Sequence, residues 1–116
     1  MQIRFAFETQ TFTVTLNAGL AAREFLTMLP LDLTIDDYAH NEKIAYLPTK
    51  LTARPDGPFG NERPGDFCYY APWGNLVFFH GGYRYSAGLV RLGQMDGSIE
   101  PIRRRGRFAL RAELLT

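Results

Sequence analysis

The chain has little of what metal and cofactor chemistry requires. Its one cysteine, Cys68, cannot form an internal disulfide, and its two histidines, His40 and His80, are too few for a metal site without help from carboxylates. None of its 11 glycines stands in a pattern that cradles phosphate groups. We therefore predict no metal site and no cofactor.

The chain also lacks an excess of charge of one sign and any long apolar run. Thirteen basic against 12 acidic side chains give a formal charge of +1, so we expect neither nucleic acid nor a membrane as partner. No apolar stretch approaches the roughly 20 residues that span a bilayer, and the first residues do not resemble a secretion signal. We expect a soluble, unsecreted, cytoplasmic protein whose oligomeric state the sequence leaves open. The basic run 103–107 is interpreted as a solvated face, or else as a site for an anionic ligand or an acidic partner.

Aromatic residues, by contrast, are abundant. With 14% aromatic and 46% hydrophobic residues, the chain of 116 residues can fold around a core of its own. The densest cluster is the block 65–80, which holds the only tryptophan, the only cysteine, two of six tyrosines and three of nine phenylalanines. Apolar runs flank Pro72-Trp73-Gly74-Asn75, which predicts a hairpin or bent strand pair with Trp73 at its tip.

Alternation of apolar and polar residues predicts several short strands. The chain begins with a hairpin, Ile3 to Phe7 and Phe12 to Leu16. Further strands are predicted at 31–35, 44–47, 66–70, 76–79, 89–92 and 107–115. A loop rich in proline and glycine covers Thr52 to Pro64, a length that indicates a functional or mobile segment, and 94–98 is predicted to be a turn.

One amphipathic helix is predicted between the first hairpin and the third strand. It covers Ala18 to Leu29, with Asn17 capping its first turn and Pro30 beyond its end. One helix and seven or eight short strands predict a mainly β fold, a small closed or nearly closed barrel with the helix over one opening. Internal repeats and linkers are absent, so residues 1–116 form a single predicted domain.

Three segments in a fixed order carry a family resemblance. They are the helix at 17–29 followed by Pro30-Leu31, the string Glu42-Lys43-Ile44-Ala45-Tyr46-Leu47-Pro48, and the string from Gly65 to Phe79 with its Tyr-Tyr-Ala-Pro-Trp-Gly-Asn core. Over about residues 3–100 the chain resembles the small bacterial and archaeal cyclophilin-like proteins of unassigned function. The resemblance implies a cyclophilin-like closed β-barrel of about eight strands with one main α-helix.

The resemblance does not carry the activity of the true prolyl isomerases. If Gly65-Asp66-Phe67 stands where those enzymes have Gly-Asp-Phe, their catalytic arginine falls at Pro55, a pocket phenylalanine at Gly60 and a pocket glutamine at Arg63. None of the three matches. Shifted equivalents in the same loop are Arg54 and Phe59.

The rings of the aromatic block have two possible roles, and the sequence leaves both open. They fill the barrel, or they line a ligand pocket in which the tyrosine hydroxyls and the indole N–H form hydrogen bonds with the ligand. Tyr69 and Tyr70 are adjacent, so at most one of them faces a pocket. The candidate ligand-binding residues are Trp73, Tyr69, Tyr70, Phe79, Tyr38 and Glu42.

Four side chains have groups that could take part in catalysis, but the sequence favours other roles for them. Glu42, beside Lys43, is a possible acid or base, although such a pair is usually solvated. Asp66 is expected to accept backbone hydrogen bonds at a turn, Cys68 to be buried, and His80 to satisfy a strand end.

We therefore expect a domain that binds a small molecule or a short peptide in an aromatic-lined groove near Trp73, without the catalytic arginine of prolyl isomerases. The sequence assigns no catalytic residue and favours a binding protein over an enzyme. Two alternatives stay open: a prolyl isomerase with a displaced site, and an enzyme that acts on a small metabolite through Glu42 or Tyr69.

Overall fold

Eight antiparallel strands close into a barrel in the computed structural model, which describes residues 1–115. The strands are β1 (Gln2–Phe7), β2 (Gln10–Leu16), β3 (Leu31–Tyr38), β4 (Glu42–Tyr46), β5 (Asp66–Tyr70), β6 (Asn75–Phe79), β7 (Leu89–Met95) and β8 (Phe108–Leu114). Their order around the barrel is β1-β2-β7-β5-β6-β4-β3-β8. The predicted closed barrel of about eight strands is confirmed.

The barrel interior is packed with aromatic rings. Because side chains alternate between the two faces of a strand, every second residue points inward. The ring of Phe5 stacks on Phe12 with centroids 5.2 Å apart and meets Phe78 edge-on at 5.2 Å. The ring of Phe67 lies 5.1 Å from that of Phe78. These rings from four strands form the centre of the core.

The single α-helix, α1 (Leu20–Leu26), packs against this core but is shorter than predicted. Its buried residues Ala21, Ala22 and Phe25 belong to the same apolar cluster as the barrel interior. Asn17 does not cap it: the Asn17 Oδ1 accepts a hydrogen bond from the Gly19 N–H at 2.9 Å, which forms a turn before the helix begins. The predicted last residues, 27–29, form a turn instead, since the Thr27 N–H bonds to the Glu24 carbonyl rather than continuing the helical pattern.

Strand β7 extends further than its alternation indicated. Residues 94 and 95, predicted to belong to a turn, continue the strand because β7 pairs with the end of β2, Val14 opposite Met95. Gly93 permits this close approach, since a Cβ there would lie 2.2 Å from the Thr15 carbonyl oxygen. A short 3-10 helix, Glu100–Arg103, follows and was not predicted.

The two charged residues that begin β4 face opposite sides of the barrel wall. The Lys43 side chain is fully buried, with its Nζ 2.9 Å from Asp37 Oδ1, 3.1 Å from the Gly106 carbonyl oxygen and 5.6 Å from the ring centroids of Phe7 and Phe108. The expectation of a solvated Glu42–Lys43 pair is therefore wrong for the lysine, because β4 points it into the barrel. A buried ammonium requires such partners.

Three arginines of the basic run before β8 pair with neighbouring acids. Arg103, Arg104 and Arg105 each approach a carboxylate, at 3.4 Å from Glu100, 2.8 Å from Glu8 and 3.7 Å from Asp37. Within residues 1–115, no helix is both long and apolar enough to cross a membrane.

Candidate functional site

A second apolar cluster lies on the outer face of β5, β6 and β7. Its buried members are Cys68, Val77, Phe79 and Leu89. Two segments cover it: the long loop, residues 47–65, through Phe59, and the strap, residues 81–88, through Tyr83 and Tyr85. Strand β6 is therefore buried on both faces, as is most of β5.

Beside this cluster lies a cavity of about 430 Å³, which we call the outer groove. Its floor consists of Asn75, Val77 and Phe79, every second residue of β6. At about 3.3 Å per strand residue the floor is about 13 Å long. The remaining lining residues come from β3, the β3–β4 turn, β4, β5, the hairpin tip, the strap and β7: Tyr38, Asn41, Glu42, Tyr70, Trp73, Tyr83, Arg84, Ser86 and Leu89.

Three aromatic side chains form one wall of the outer groove. The Trp73 indole stands between the rings of Tyr38 and Tyr70, which it meets nearly perpendicularly at centroid distances of 5.4 and 5.5 Å. Trp73 remains 45% exposed, so it lines the groove instead of filling the core.

The structure brings five of the six candidate residues to this groove and excludes one. Trp73, Tyr70, Phe79, Tyr38 and Glu42 all line it. Tyr69 does not: its ring points into the barrel and is 2% exposed, and its hydroxyl accepts a hydrogen bond from the Leu51 N–H at 3.1 Å. Strand alternation gives the reason, since Tyr70 takes the outward position.

Sequence patterns missed several polar lining residues. Asn75 lies on the same face as Val77 and Phe79, so alternation along β6 was a signal that could have found it. Arg84 and Ser86 lie in the strap, which has no regular periodicity, and nothing in the sequence indicated their direction.

Two hydrogen-bond acceptors of the outer groove have no donor. Asn75 is 1% exposed, and its Oδ1 has no partner within residues 1–115. Burial raises the pKa of Glu42, and no hydrogen bond or charge from the described residues offsets that effect. A fully buried acceptor without a partner, such as the Asn75 Oδ1, is uncommon in folded proteins and destabilises them, whereas Glu42 is only partly buried.

The buried Asp66 carboxylate, at the start of β5, collects four hydrogen-bond donors. They are the Arg63 N–H at 3.2 Å, the Tyr83 hydroxyl at 2.7 Å, the Arg91 Nη1 at 3.3 Å and the Gln94 Nε2 at 2.9 Å. The expected backbone hydrogen bond at a turn is thus confirmed, and three side chains join it. Asp66 ties the long loop and the strap to β7.

Tyr83 fixes the strap over the outer cluster. Its ring stacks on Phe79 with a centroid distance of 3.6 Å and an interplanar angle of 2°, while its hydroxyl donates to Asp66. Because Arg84 and Ser86 follow directly in the chain, this anchor determines where they reach the outer groove.

Cys68 and His80 offer no reactive group to the groove. Burial raises the pKa of the Cys68 thiol to about 12, which leaves it protonated at neutral pH. Burial, helped by the charges of Arg105 and Arg103, lowers the pKa of His80, whose buried Nε2 has no hydrogen-bond partner among residues 1–115. In the part of the chain that the structure describes, no group of three or more histidine, cysteine or acidic residues could hold a metal ion.

Comparison with known proteins assigns the family. The profile of the Cyclophilin-like family matches residues 5–113. The chain belongs to the cyclophilin-like family. A hypothetical protein from Archaeoglobus fulgidus, solved in solution, has a similar fold: the TM-score is 0.75 at 18% identity, covering 97% of this chain and 93% of that one. At this identity the likeness shows the fold alone. None of the curated proteins compared matches the chain.

This cyclophilin-like domain does not present the expected isomerase positions to its groove. All five lie outside the lining residues: Pro55, Gly60, Arg63, Arg54 and Phe59. Phe59 instead packs on Tyr85, and the Arg91 guanidinium lies 4.4 Å from its ring centroid. The arginine that lines the outer groove is Arg84.

The Tyr83 anchor can be tested by removing one hydroxyl. Tyr83→Phe keeps the ring on Phe79 but deletes a hydrogen bond to a buried carboxylate, so we expect the free energy of unfolding to fall by about 1.5–3 kcal/mol in urea denaturation. Tyr85→Phe, which removes a strap hydroxyl that does not contact Asp66, is the control and should change little. Equal stability of the two variants would contradict the conclusion that the Tyr83 hydroxyl anchors the strap to Asp66.

Glu42→Gln should stabilise the folded protein at neutral pH. The raised pKa means that the folded state holds the Glu42 proton more tightly than the unfolded state, so stability falls as pH rises from 4.5 through the raised value. At pH 7 the variant should gain up to about 1 kcal/mol, and the gain should vanish below pH 4.5, measured by thermal unfolding across pH. Glu100→Gln removes an exposed carboxylate and should show no such pH-dependent gain; a loss of stability in Glu42→Gln at pH 7 would overturn the reasoning.

Proposed function

We propose that the outer groove is the ligand-binding site of this cyclophilin-like domain, for a small molecule or a short peptide segment. The observation that carries this proposal is Asn75, a residue of the groove floor whose buried Oδ1 has no hydrogen-bond donor within residues 1–115. A ligand N–H or O–H would satisfy this oxygen if the Asn75 side chain turned to expose it to the groove. Folded proteins leave few such atoms unsatisfied, which favours a site built to receive a partner.

The size and chemistry of the groove support the same function. Its volume of about 430 Å³ lies within the range of roughly 300–1,000 Å³ that is typical of small-molecule sites. Val77, Phe79 and Leu89 supply apolar surface, while Tyr70 and Trp73 combine ring area with hydrogen-bond donors. Apolar walls with a few convergent polar groups are the usual composition of a ligand pocket.

Trp73 provides a direct test because it is the only tryptophan. A library of small aromatic, amide and amine compounds should contain members that change Trp73 fluorescence saturably. For such a compound, Trp73→Phe should weaken binding by about tenfold, as measured by NMR titration of the labelled protein, because the substitution removes a large ring and its N–H donor. Tyr46→Phe, at an exposed tyrosine outside the lining, is the control. Unaltered affinity in Trp73→Phe would count against the outer groove as the ligand-binding site.

Arg84 favours a second candidate function, prolyl isomerisation at a displaced site. That reaction needs a guanidinium that donates to the imide nitrogen while the carbonyl rotates, and an apolar pocket for the proline ring. Arg84 brings a guanidinium to a groove with Val77 and Phe79 on its floor.

The third hypothesis is an enzyme that acts on a small metabolite through Glu42 or Tyr69. Because Tyr69 faces the barrel interior, Glu42 is the one residue of this pair that lines the groove.

Exchange NMR on Xaa-Pro peptides tests the isomerase hypothesis. If Arg84 acts catalytically, the protein accelerates cis/trans exchange, and Arg84→Gln should lower that rate about 100-fold because a donor to the reacting group is lost. Arg54→Gln, in the long loop and outside the lining, should leave the rate unchanged. Exchange no faster than the uncatalysed rate eliminates this candidate and leaves ligand binding standing.

A further inference from the structure

The two unpartnered acceptors lie at opposite ends of the outer groove. Glu42 pairs with Phe79 across β4 and β6, whereas Asn75 is the first residue of β6, four residues away. The two positions are therefore separated by about 13 Å along the floor. Between them Val77 and Phe79 offer only apolar surface. The groove thus has an acidic end, an apolar middle and an amide end.

We propose that the outer groove binds organic cations, ligands whose protonated amine pairs with the Glu42 carboxylate and whose apolar body lies along the aromatic wall. This inference rests on the proposed function and specifies its ligand class. An ammonium group has N–H donors and no acceptor, which is the complement of a carboxylate that lacks a donor. Its charge also interacts favourably with the faces of tryptophan and tyrosine rings.

The aromatic wall supports this choice of ligand charge. Tyr38 is the residue opposite Glu42 in the β3–β4 ladder, and its ring meets Trp73. The carboxylate therefore lies beside the Tyr38 ring and forms no ion pair with an arginine or lysine of the described residues, since the neighbouring Lys43 side chain points into the barrel. Trp73 and Tyr70 continue the wall toward Asn75, where an amide or hydroxyl donor of the ligand would meet the Asn75 Oδ1.

The other charged and titratable groups around the groove do not reverse this preference. Arg84 is the one cationic side chain among the described lining residues. Glu62, whose pKa is lowered mainly by the Tyr85 N–H and to a smaller extent by the charges of Arg91 and Arg84, provides a nearby negative charge. Burial raises the pKa of Tyr83 and of Cys68, so both stay neutral at pH 7.

A matched set of three probes tests the ligand charge. 2-Phenylethylamine, 2-phenylethanol and 3-phenylpropionate have similar shapes but are cationic, neutral and anionic at pH 7. We expect the amine to bind at least about tenfold more tightly than the alcohol, and the carboxylate to bind least, in NMR titrations that follow the Trp73 indole N–H. Binding of the amine should weaken as the pH falls through the raised pKa of Glu42, because protonation removes its charge.

Two short peptides distinguish the sources of the amine. Acetyl-Ala-Lys-Ala-amide carries the ammonium on a peptide, and the same peptide with norleucine lacks it. Tighter binding of the lysine peptide than of 2-phenylethylamine identifies a protein segment as the natural source, and the reverse identifies a free amine. Either result supports the proposal, provided that the norleucine peptide binds at least tenfold more weakly than the lysine peptide.

Glu42→Gln decides whether the carboxylate is responsible. The variant should bind the amine and the alcohol equally, and its fold is not endangered because it removes a partly buried charge that no hydrogen bond or opposite charge of the described residues stabilises. Glu100→Gln, which removes an exposed carboxylate paired with Arg103 outside the groove, should retain the preference for the amine. Equal or tighter binding of the alcohol or the carboxylate to the native protein overturns the amine inference but leaves the groove a ligand site. If no probe binds, the amine inference fails, and the library screen with Trp73 decides the proposed function separately.

Discussion

The outer layer of this protein depends on the buried Asp66 carboxylate. A buried carboxylate is costly unless hydrogen-bond donors surround it, so its four donors from the long loop, the strap and β7 must be in place together. Arg91 extends the connection, since it also donates to the Asn61 carbonyl and lies over the ring of Phe59. Through Tyr83 the same carboxylate sets the position of the strap that borders the outer groove.

The aromatic block 65–80 supplies two cores at once, and this explains its density. Alternate residues of β5 and β6 enter the barrel or join the outer cluster, so all five residues of β6 are buried. Phe67 and Phe78 pack inside, whereas Val77 and Phe79 pack outside. The sequence of a strand that is covered on both faces is a continuous apolar run. Strands of an antiparallel sheet with one solvated face usually alternate apolar and polar residues instead. The question whether these rings fill a core or line a groove therefore has a different answer on each face.

Local patterns predicted the barrel but only part of the groove. Period-two alternation located the strands, because it is dictated by backbone geometry alone. Five candidate lining residues come together since β3, β4, β5 and β6 bring their outward faces to one side. Alternation alone could not predict that Tyr69 faces the barrel interior, that Lys43 is buried or that Arg84 lines the groove. The positions of Tyr69 and Lys43 depend on which face of each strand points inward. The position of Arg84 depends on the hydrogen bond between Asp66 and Tyr83, which are 17 residues apart.

Glu42 and Lys43, adjacent on one strand, face opposite environments. On one strand the lysine faces the barrel interior, where a carboxylate, a carbonyl and two rings satisfy its charge. The adjacent glutamate faces the groove, where burial opposes its charge and nothing within residues 1–115 compensates. Stability alone accounts for the first arrangement and opposes the second, since a neutral side chain at position 42 would avoid the penalty. The barrel is thus explained by its packing, whereas packing does not explain a groove carboxylate and a groove amide oxygen that receive no hydrogen bond from residues 1–115.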